Sequence, residues 1–555
     1  MKKKTFLTDL SELFRRLTFT VPVILVAMFG YGYTFTQLSL STDDMTAERY
    51  TLGNELLSQG RYTAVLFKRF LGLFRNVPHF GDMLCVLLLI VSAYVFGVVL
   101  MRASRYKLKD SSLTVFACLL ISYSYMNEIY VYNGGNINVT LGFLLTSFAL
   151  YFTAEYFTKK QFPMLIYSGL ILIAIASLYE SFIVVYILGC ISILILRFYY
   201  SDEHDRGKFG KVLLRGIIML APAAAAIVLE FLLGKVVNSI FDFGDTGYMS
   251  AQTLWGNGIA YVLENAIKQI LYYHVIAAKY YLPARELLIG VNLVFVFAIV
   301  TGIKRKNITI SLLCLAGIVS LTLLNIAKGC IASPRMAQYY TYFIAFFVML
   351  LYQFLLENIV KIKKEKVGKA LTAVVCFCAF LLVFYQTYDL NAWLCLDVQR
   401  YEYEKELVTD ACEELYKNYD IENKPVIFCG SPTFSESITS QIFLYSDDSA
   451  VQKTADIIEK LGFEELAEDI RTIEGAGKIQ FVQNNLTSYI AWGEMAFGEP
   501  NTEILKFCHF LGYDKIFSVD DFDTVYMATS IGATMTDYPM KGSIVDDGDY
   551  IFVHF

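Results

Sequence analysis

The chain predicts a mainly α, polytopic bundle of transmembrane helices followed by an extracytoplasmic soluble α/β domain, and three observations carry that prediction. Of 555 residues, 56% are hydrophobic and only 18% charged, against about 25% charged in an ordinary soluble domain. Apolar runs of membrane-spanning length recur through residues 1–388 and stop there. Charge divides at the same place: 31 of the 52 acidic residues and 11 of the 46 basic ones lie between Asp389 and Phe555. That part carries -20 and the rest +14, so a basic membrane portion (1–388) and an acidic domain (389–555) are expected.

The first apolar run, about 18–38, follows Lys2-Lys3-Lys4 and Arg15-Arg16. It is too long for the core of a secretory signal and is read as a span whose amino end is cytoplasmic. Further runs lie near 82–101, 112–126, 139–157, 163–179, 182–199, 215–234, 287–303, 308–325, 337–359 and 370–388, about eleven spans in all. Several are short, as in tilted or broken helices. With the amino end inside, every basic cluster falls on the cytoplasmic side. These are Arg102 to Lys109, Lys159-Lys160, Arg197 with Arg206 to Arg215, Lys304-Arg305-Lys306, and Lys361 to Lys369. Lys and Arg are retained inside, so the count places residues 389–555 outside.

The outer loops are then 39–81, 127–138, 180–181, 235–286 and 326–336. Ile259 to Tyr281 carries aliphatic and aromatic residues at helical spacing among Glu264, Lys268 and Lys279. Both an amphipathic helix on the membrane surface and a helix packed within the protein fit that spacing. In the tail, Val398 to Tyr419, Ala455 to Leu461 and Thr502 to Leu511 read as helices. Val426 to Gly430 reads as a short buried strand, and Gly542 to Val553 as a hairpin on an Asp-Gly turn. Asp546-Asp547 and Asp520-Asp521 are ordinary acids beside turns.

Against this background the first outer loop stands out. Asp43 and Asp44 are adjacent carboxylates beside a bilayer, where like charges repel and desolvation is costly. A carboxylate kept ionised by nearby cations can take a proton from a hydroxyl and make it a nucleophile. Arg49, Arg61, Lys68 and Arg69 follow in the same loop, and Lys328 and Arg335 lie in the loop before the tenth span. Cations, and above all the planar guanidinium fork, suit a phosphate leaving group. Lys68-Arg69 also fits an interface anchor. Glu180, alone between two apolar spans, and Glu128 lie at equivalent outer turns where they can face the same cavity. Acids and bases on one outer surface point to chemistry on a phosphate-linked lipid.

Several of these stretches resemble the type II glucosyltransferase-like family, integral-membrane glycosyltransferases of the GT-C class. They are Thr42-Asp43-Asp44, Ser58 to Tyr62, Tyr179-Glu180-Ser181, Pro334-Arg335-Met336 and the tail stretch Ala491 to Glu503. In that family an Asn often precedes the acid pair and a Trp often follows Gly-Arg, where Thr42 and Tyr62 stand here. The resemblance implies a polyprenyl-phosphate-linked sugar donor, often of glucose, used outside the cytoplasmic membrane to modify a surface or wall polysaccharide. It implies Asp43 or Asp44 as the base and Arg61 and Arg335 as phosphate ligands. Lys328, Arg49, Lys68 and Arg69 are further phosphate candidates, and Glu180, Glu128 and Tyr62 substrate contacts.

Other classes fit less well. The five histidines and eleven cysteines have no metal-ligand spacing, no spacing demands a disulfide, and no cofactor is indicated. There is no phosphate-binding glycine loop and no basic-aromatic patch for nucleic acid. A transporter or flippase would carry ionisable groups at mid-membrane depth, whereas the spans are nearly free of them, Glu230 being the main exception.

Overall fold

The structure, a computed structural model, describes residues 5–40, 56–57, 59–72, 79–126, 130, 136–200, 209–241, 254–271, 282–305, 308–329, 336–430, 456, 459–460, 468, 502–519 and 530–555. They fall into two compact units. One comprises Met1–Thr36, Thr51–Tyr130 and Gly135–Trp393; the other comprises Gln37–Tyr50, Val131–Gly134 and Leu394–Phe555.

The first unit is all helix, as a chain must be where no water is present to satisfy its backbone. It contains α1 (Phe6–Arg15), α2 (Leu17–Gly30), α3 (Gly32–Thr36), α4 (Tyr62–Leu71), α5 (Phe80–Ala103), α6 (Asp110–Ser122) and α7 (Asn136–Lys159). Then come α8 (Pro163–Ala176), α9 (Phe182–Tyr199), α10 (Phe209–Phe241), α11 (Ile259–Leu271), α12 (Leu282–Arg305), α13 (Ile308–Val319), α14 (Leu323–Lys328) and α15 (Gln338–Ile359). The last helix, α16 (Glu365–Asn418), begins in this unit and ends in the other. Among the described residues eight helical segments are long and apolar enough to cross a membrane, or nine with α1 and α2, bent by 76°, taken as one.

Two of the eleven expected spans are the difference. Residues 112–126 and 163–179 form α6 and α8, of 13 and 14 residues. At 1.5 Å per residue these reach only about 20 Å, against roughly 30 Å of hydrocarbon. An apolar run of that length also makes a core helix, and α6 is buried from Leu113 to Ser122 except at Thr114. Close approach of the long helices is set by small residues. A Cβ on Gly189 of α9 would lie 2.2 Å from Leu150 of α7, and one on Gly142 of α7 2.4 Å from the Phe182 ring.

On the side expected to be cytoplasmic, α1 lies across the ends of α5 and α7. Asp9 is fully buried and bound by Arg102 at 2.6 Å, and Arg102 also holds Glu155 at 2.6 Å. Leu7 and Phe14 point outward. Burying an acid is tolerable here because the guanidinium neutralises it and fills its hydrogen-bonding capacity.

The second unit contains a small sheet of β1 (Val426–Cys429), β2 (Ile544–Asp546) and β3 (Ile551–His554) in the order β1-β3-β2. β1 runs parallel to β3, and β2 antiparallel to it with Ile544 opposite Val553. The hairpin expected on the Asp-Gly turn forms: Asp546 accepts from Gly548 N at 2.9 Å and pairs with Lys424 at 2.8 Å. That binding accounts for Asp546 as a turn acid, while Asp520-Asp521 lies outside the described residues. Val408, Ala411, Cys412 and Leu415, one face of α16, share a core with Val426, Phe428 and Val553. Ile504, Phe507 and Cys508 of α17 (Thr502–Phe510) complete it. The fully buried Arg400 is held by Asp397 at 2.6 Å and Glu404 at 3.0 Å, three and four residues away on the same helix. The helix expected at Ala455 to Leu461 lies mostly outside the described residues.

Candidate functional site: an acid–cation cluster at helix ends

Four stretches far apart in sequence meet in the first unit. The first is Gly60-Arg61-Tyr62 at the start of α4, where Arg61 N bonds Leu56 O at 2.7 Å and closes a turn. The face of α4 that turns inward carries Ala64, Val65 and Lys68, spaced three, four and seven residues from Arg61. Thr63 anchors this first turn to Ser177 through a hydroxyl pair at 2.5 Å.

The second stretch is the tight turn Ser177 to Ser181 between α8 and α9. Its backbone is closed by Tyr179 N to Ile175 O at 2.9 Å and Ile183 N to Glu180 O at 3.1 Å. Ser181 donates to Gln338 Oε1 at 2.7 Å, which ties the turn to the start of α15. The Arg61 guanidinium lies over the Tyr179 ring, 5.3 Å from its centre, a stacked arrangement that fixes the plane of the fork.

The third is the end of α14. Lys328 reaches Glu180 at 2.5 Å; its own side chain is 9% exposed, that of Glu180 32%. Glu180 is surrounded by protein yet keeps about a third of its side chain open to solvent. Burial pushes its carboxyl up, but Lys328 and Arg61 outweigh this and hold it below the usual carboxylate value.

The backbone behind Lys328 is gripped by α11 and by the turn just before it, at Leu254 and Trp255. Leu254 N bonds Lys328 O at 2.8 Å, Trp255 Nε1 bonds Ala327 O at 3.0 Å, and Asn265 Nδ2 bonds Gly329 O at 2.8 Å. Gly329 ends α14 in the left-handed conformation at φ 73°, and a Cβ there would meet Val262 at 3.1 Å. The sequence left two roles open for this amphipathic segment, and the helix combines features of both. It buries Val262, Asn265 and Ala266, and exposes an apolar stripe of Ile259, Leu263, Ile267 and Ile270.

The fourth contributor is Glu230 of α10. A Cβ on Gly60 would lie 3.4 Å from Glu230 Oε1, and the charge of Glu230 reaches both Tyr62 and Glu180. Burial, reinforced by Glu230, pushes the Tyr62 phenol up to about 12, so it is a neutral hydroxyl at physiological pH.

The pair Lys68-Arg69 separates. Arg69 is exposed beside the exposed Leu66 and Phe70, as an interface anchor would be. Lys68 is 3% exposed, which excludes snorkelling. Its charge, like that of Asp82, reaches Cys85 in a buried polar group where Asn136 donates to Asp82 at 2.5 Å. Asp43, Asp44, Arg49, Glu128 and Arg335 lie outside the described residues.

Sequence reasoning gave no site role to Glu230, Tyr179 or Ser177. Glu230 was visible as the main ionisable exception among the apolar runs, near the outer end of its own; Ser177 carries no signal that sequence could supply. It also missed a second acid pair, Glu286 and Asp389, close enough to act on one another, with Gln386 donating to Glu286 at 2.6 Å. Among the described residues no group of three His, Cys, Asp or Glu could hold a metal ion.

The fold and the cluster together define a multi-span helical membrane protein with cations and carboxylates gathered where its helices end. The chain belongs to the glucosyl transferase GtrII family, whose family model matches residues 32–356; the family resemblance is thereby borne out, while the tail stretch Ala491 to Glu503 lies beyond the match. No curated protein matches it. Among solved structures it is similar to the Archaeoglobus fulgidus oligosaccharyltransferase. The apo form gives a TM-score of 0.39 at 10% identity, covering 73% of this chain and 59% of that one. The complex with Zn and sulfate gives 0.38 at 11%, covering 73% and 60%. The chain thus spans about 60% of that protein's length.

Proposed function

We propose that the protein transfers a hexose, glucose in the first instance, from a polyprenyl-phosphate-linked donor to a cell-surface or wall polysaccharide on the outer face of the membrane. The observation that carries this reading is the convergence of Arg61 and Lys328 on Glu180, two cations held at the ends of helices. Cations held in place before the reaction stabilise a phosphate leaving group without the cost of reorganising around it. In this reading an acceptor hydroxyl attacks the anomeric carbon and the bond from that carbon to the phosphate oxygen breaks. Asp43 or Asp44 takes the hydroxyl proton. Arg61 and Lys328, with Arg335 and Arg49, receive the lipid phosphate. Glu128, Glu180 and Tyr62 contact substrate, and Lys68 and Arg69 support the phosphate side.

The proposed topology has the nine long segments and, as short tilted crossings, α6 and α8, about eleven in residues 1–388, with the amino end inside and residues 389–555 outside as an α/β domain facing the acceptor. The exposed stripe of α11 rests on the membrane surface, next to the lipid carrying the sugar. Transfer from a polyprenyl-phosphate sugar in membranes tests the reaction. Asp43→Asn or Asp44→Asn, whichever removes the base, lowers the rate by a factor of about 100 or more. Full activity in both variants would sink the proposed base.

A further inference from the structure

Glu230 is the one group of the cluster whose charge the protein leaves unanswered. Glu180 is met by Lys328 and Arg61. Among the described residues Glu230 makes no hydrogen bond or ion pair. The nearest cation along its own helix, Lys235, sits over the Phe231 ring at 4.6 Å. Glu230 stands on a helix that otherwise exposes Ile227, Val228, Leu229, Phe231, Leu232 and Leu233. An ionisable group on such a helix is costly and is retained where it meets a pathway or a ligand. It is half-buried and turned toward Gly60, Tyr62 and Glu180.

The four charged groups therefore form a site with two unlike halves. Arg61 and Lys328 offer positive charge with donors only, and Glu230 offers acceptors only. A phosphate is drawn to the first half and repelled by the second. A carboxylate lacking a protein donor is satisfied by a neutral, hydroxyl-bearing ring, each O–H giving a charge-assisted hydrogen bond. Tyr62, a neutral phenol beside Glu230, adds a hydroxyl that can serve the same ring.

Resting on the proposed function, we propose that Glu230 binds the hydroxyls of the sugar on the lipid-linked donor, so that the site reads phosphate and sugar separately. Glu230 is thus a sugar-recognition residue, and Arg61 with Lys328 the phosphate side.

The test is binding to the full chain in nanodiscs, using a short-chain polyprenyl phosphate and its glucose, galactose and mannose esters. The wild type binds bare polyprenyl phosphate and binds at least one ester about tenfold more tightly, the gain expected of one hydrogen bond to a charged acceptor. Glu230→Leu, which suits an apolar helix and so preserves folding, abolishes that gain without weakening the affinity for the bare phosphate, which rises if the lost charge had repelled it. Glu230→Gln keeps part of it. Lys328→Ala weakens both ligands alike. A sugar gain absent in the wild type, or undiminished in both Glu230 variants, overturns this assignment while the phosphate reading stands. Failure of the wild type to bind polyprenyl phosphate at all overturns the functional reading and this assignment with it.

Discussion

Glu180 shows how much one side chain can organise. Its carboxylate neutralises Lys328, which is nearly buried, and orients Arg61, whose guanidinium is already stacked on the neighbouring Tyr179. Glu180→Gln removes the carboxylate from its pair with Lys328. Losing one partner of a buried pair costs roughly 3–5 kcal/mol. Because a third of the Glu180 side chain reaches solvent, the loss belongs at or below the lower end of that range. Thermal unfolding of the purified variant in detergent reads this directly. The pH dependence follows from the sign of the shift. The folded-state value lies below that of the unfolded chain, about 4.3. The pair therefore stabilises the protein fully above that pH, and its contribution is lost as pH falls through the depressed folded value. Acid unfolding of Glu180→Gln should lack that component, which a comparison of unfolding temperature between pH 7 and pH 3 measures.

At the scale of elements, α11 and the α7–α9 contact do different work. The contact of α7 with α9 depends on space, since any side chain at Gly189 runs into Leu150. Gly189→Leu should destabilise the bundle by about 1–3 kcal/mol, the usual cost of overpacking, seen as a lower unfolding temperature. α11 acts on the site through Gly329, whose carbonyl it holds and whose left-handed backbone lets Lys328 face Glu180. The spacing of Ile259, Leu263, Ile267 and Ile270 made its amphipathic character legible from sequence. That its other face would grip the loop bearing Lys328 was not legible, because the contact joins residues more than sixty positions apart. α6, buried along almost its whole length, shows the converse limit. Hydropathy reports that a segment avoids water, and a core helix and a membrane span avoid it equally.

For the whole molecule the matter at issue is which face is outside. The positive-inside count puts Lys361 to Lys369 in the cytoplasm and residues 389–555 beyond the membrane. A protease site inserted after Gly548, at the exposed hairpin turn, should be cut in intact spheroplasts. One inserted at Lys363 should be cut only after permeabilisation. The reverse pattern would place the acid–cation cluster on the side away from the acceptor polymer and remove the proposed reaction from the outer face.

What the sequence alone determined is what depends on composition and local period. It includes the helical membrane unit, the short strand at Val426, the hairpin near Gly548, the amphipathic segment at Ile259 and the family. It also named Arg61, Glu180 and Lys328 as candidates, because charges at the ends of apolar runs are conspicuous one by one. Only the tertiary structure decided that these three meet, that Lys68 is buried while Arg69 is not, and that Glu230 joins the cluster. The physical reason is that pairing of charges is a property of distance in space. Residues 61, 180, 230 and 328 sit on four separate helix ends or faces, and nothing in the spacing along the chain encodes their encounter.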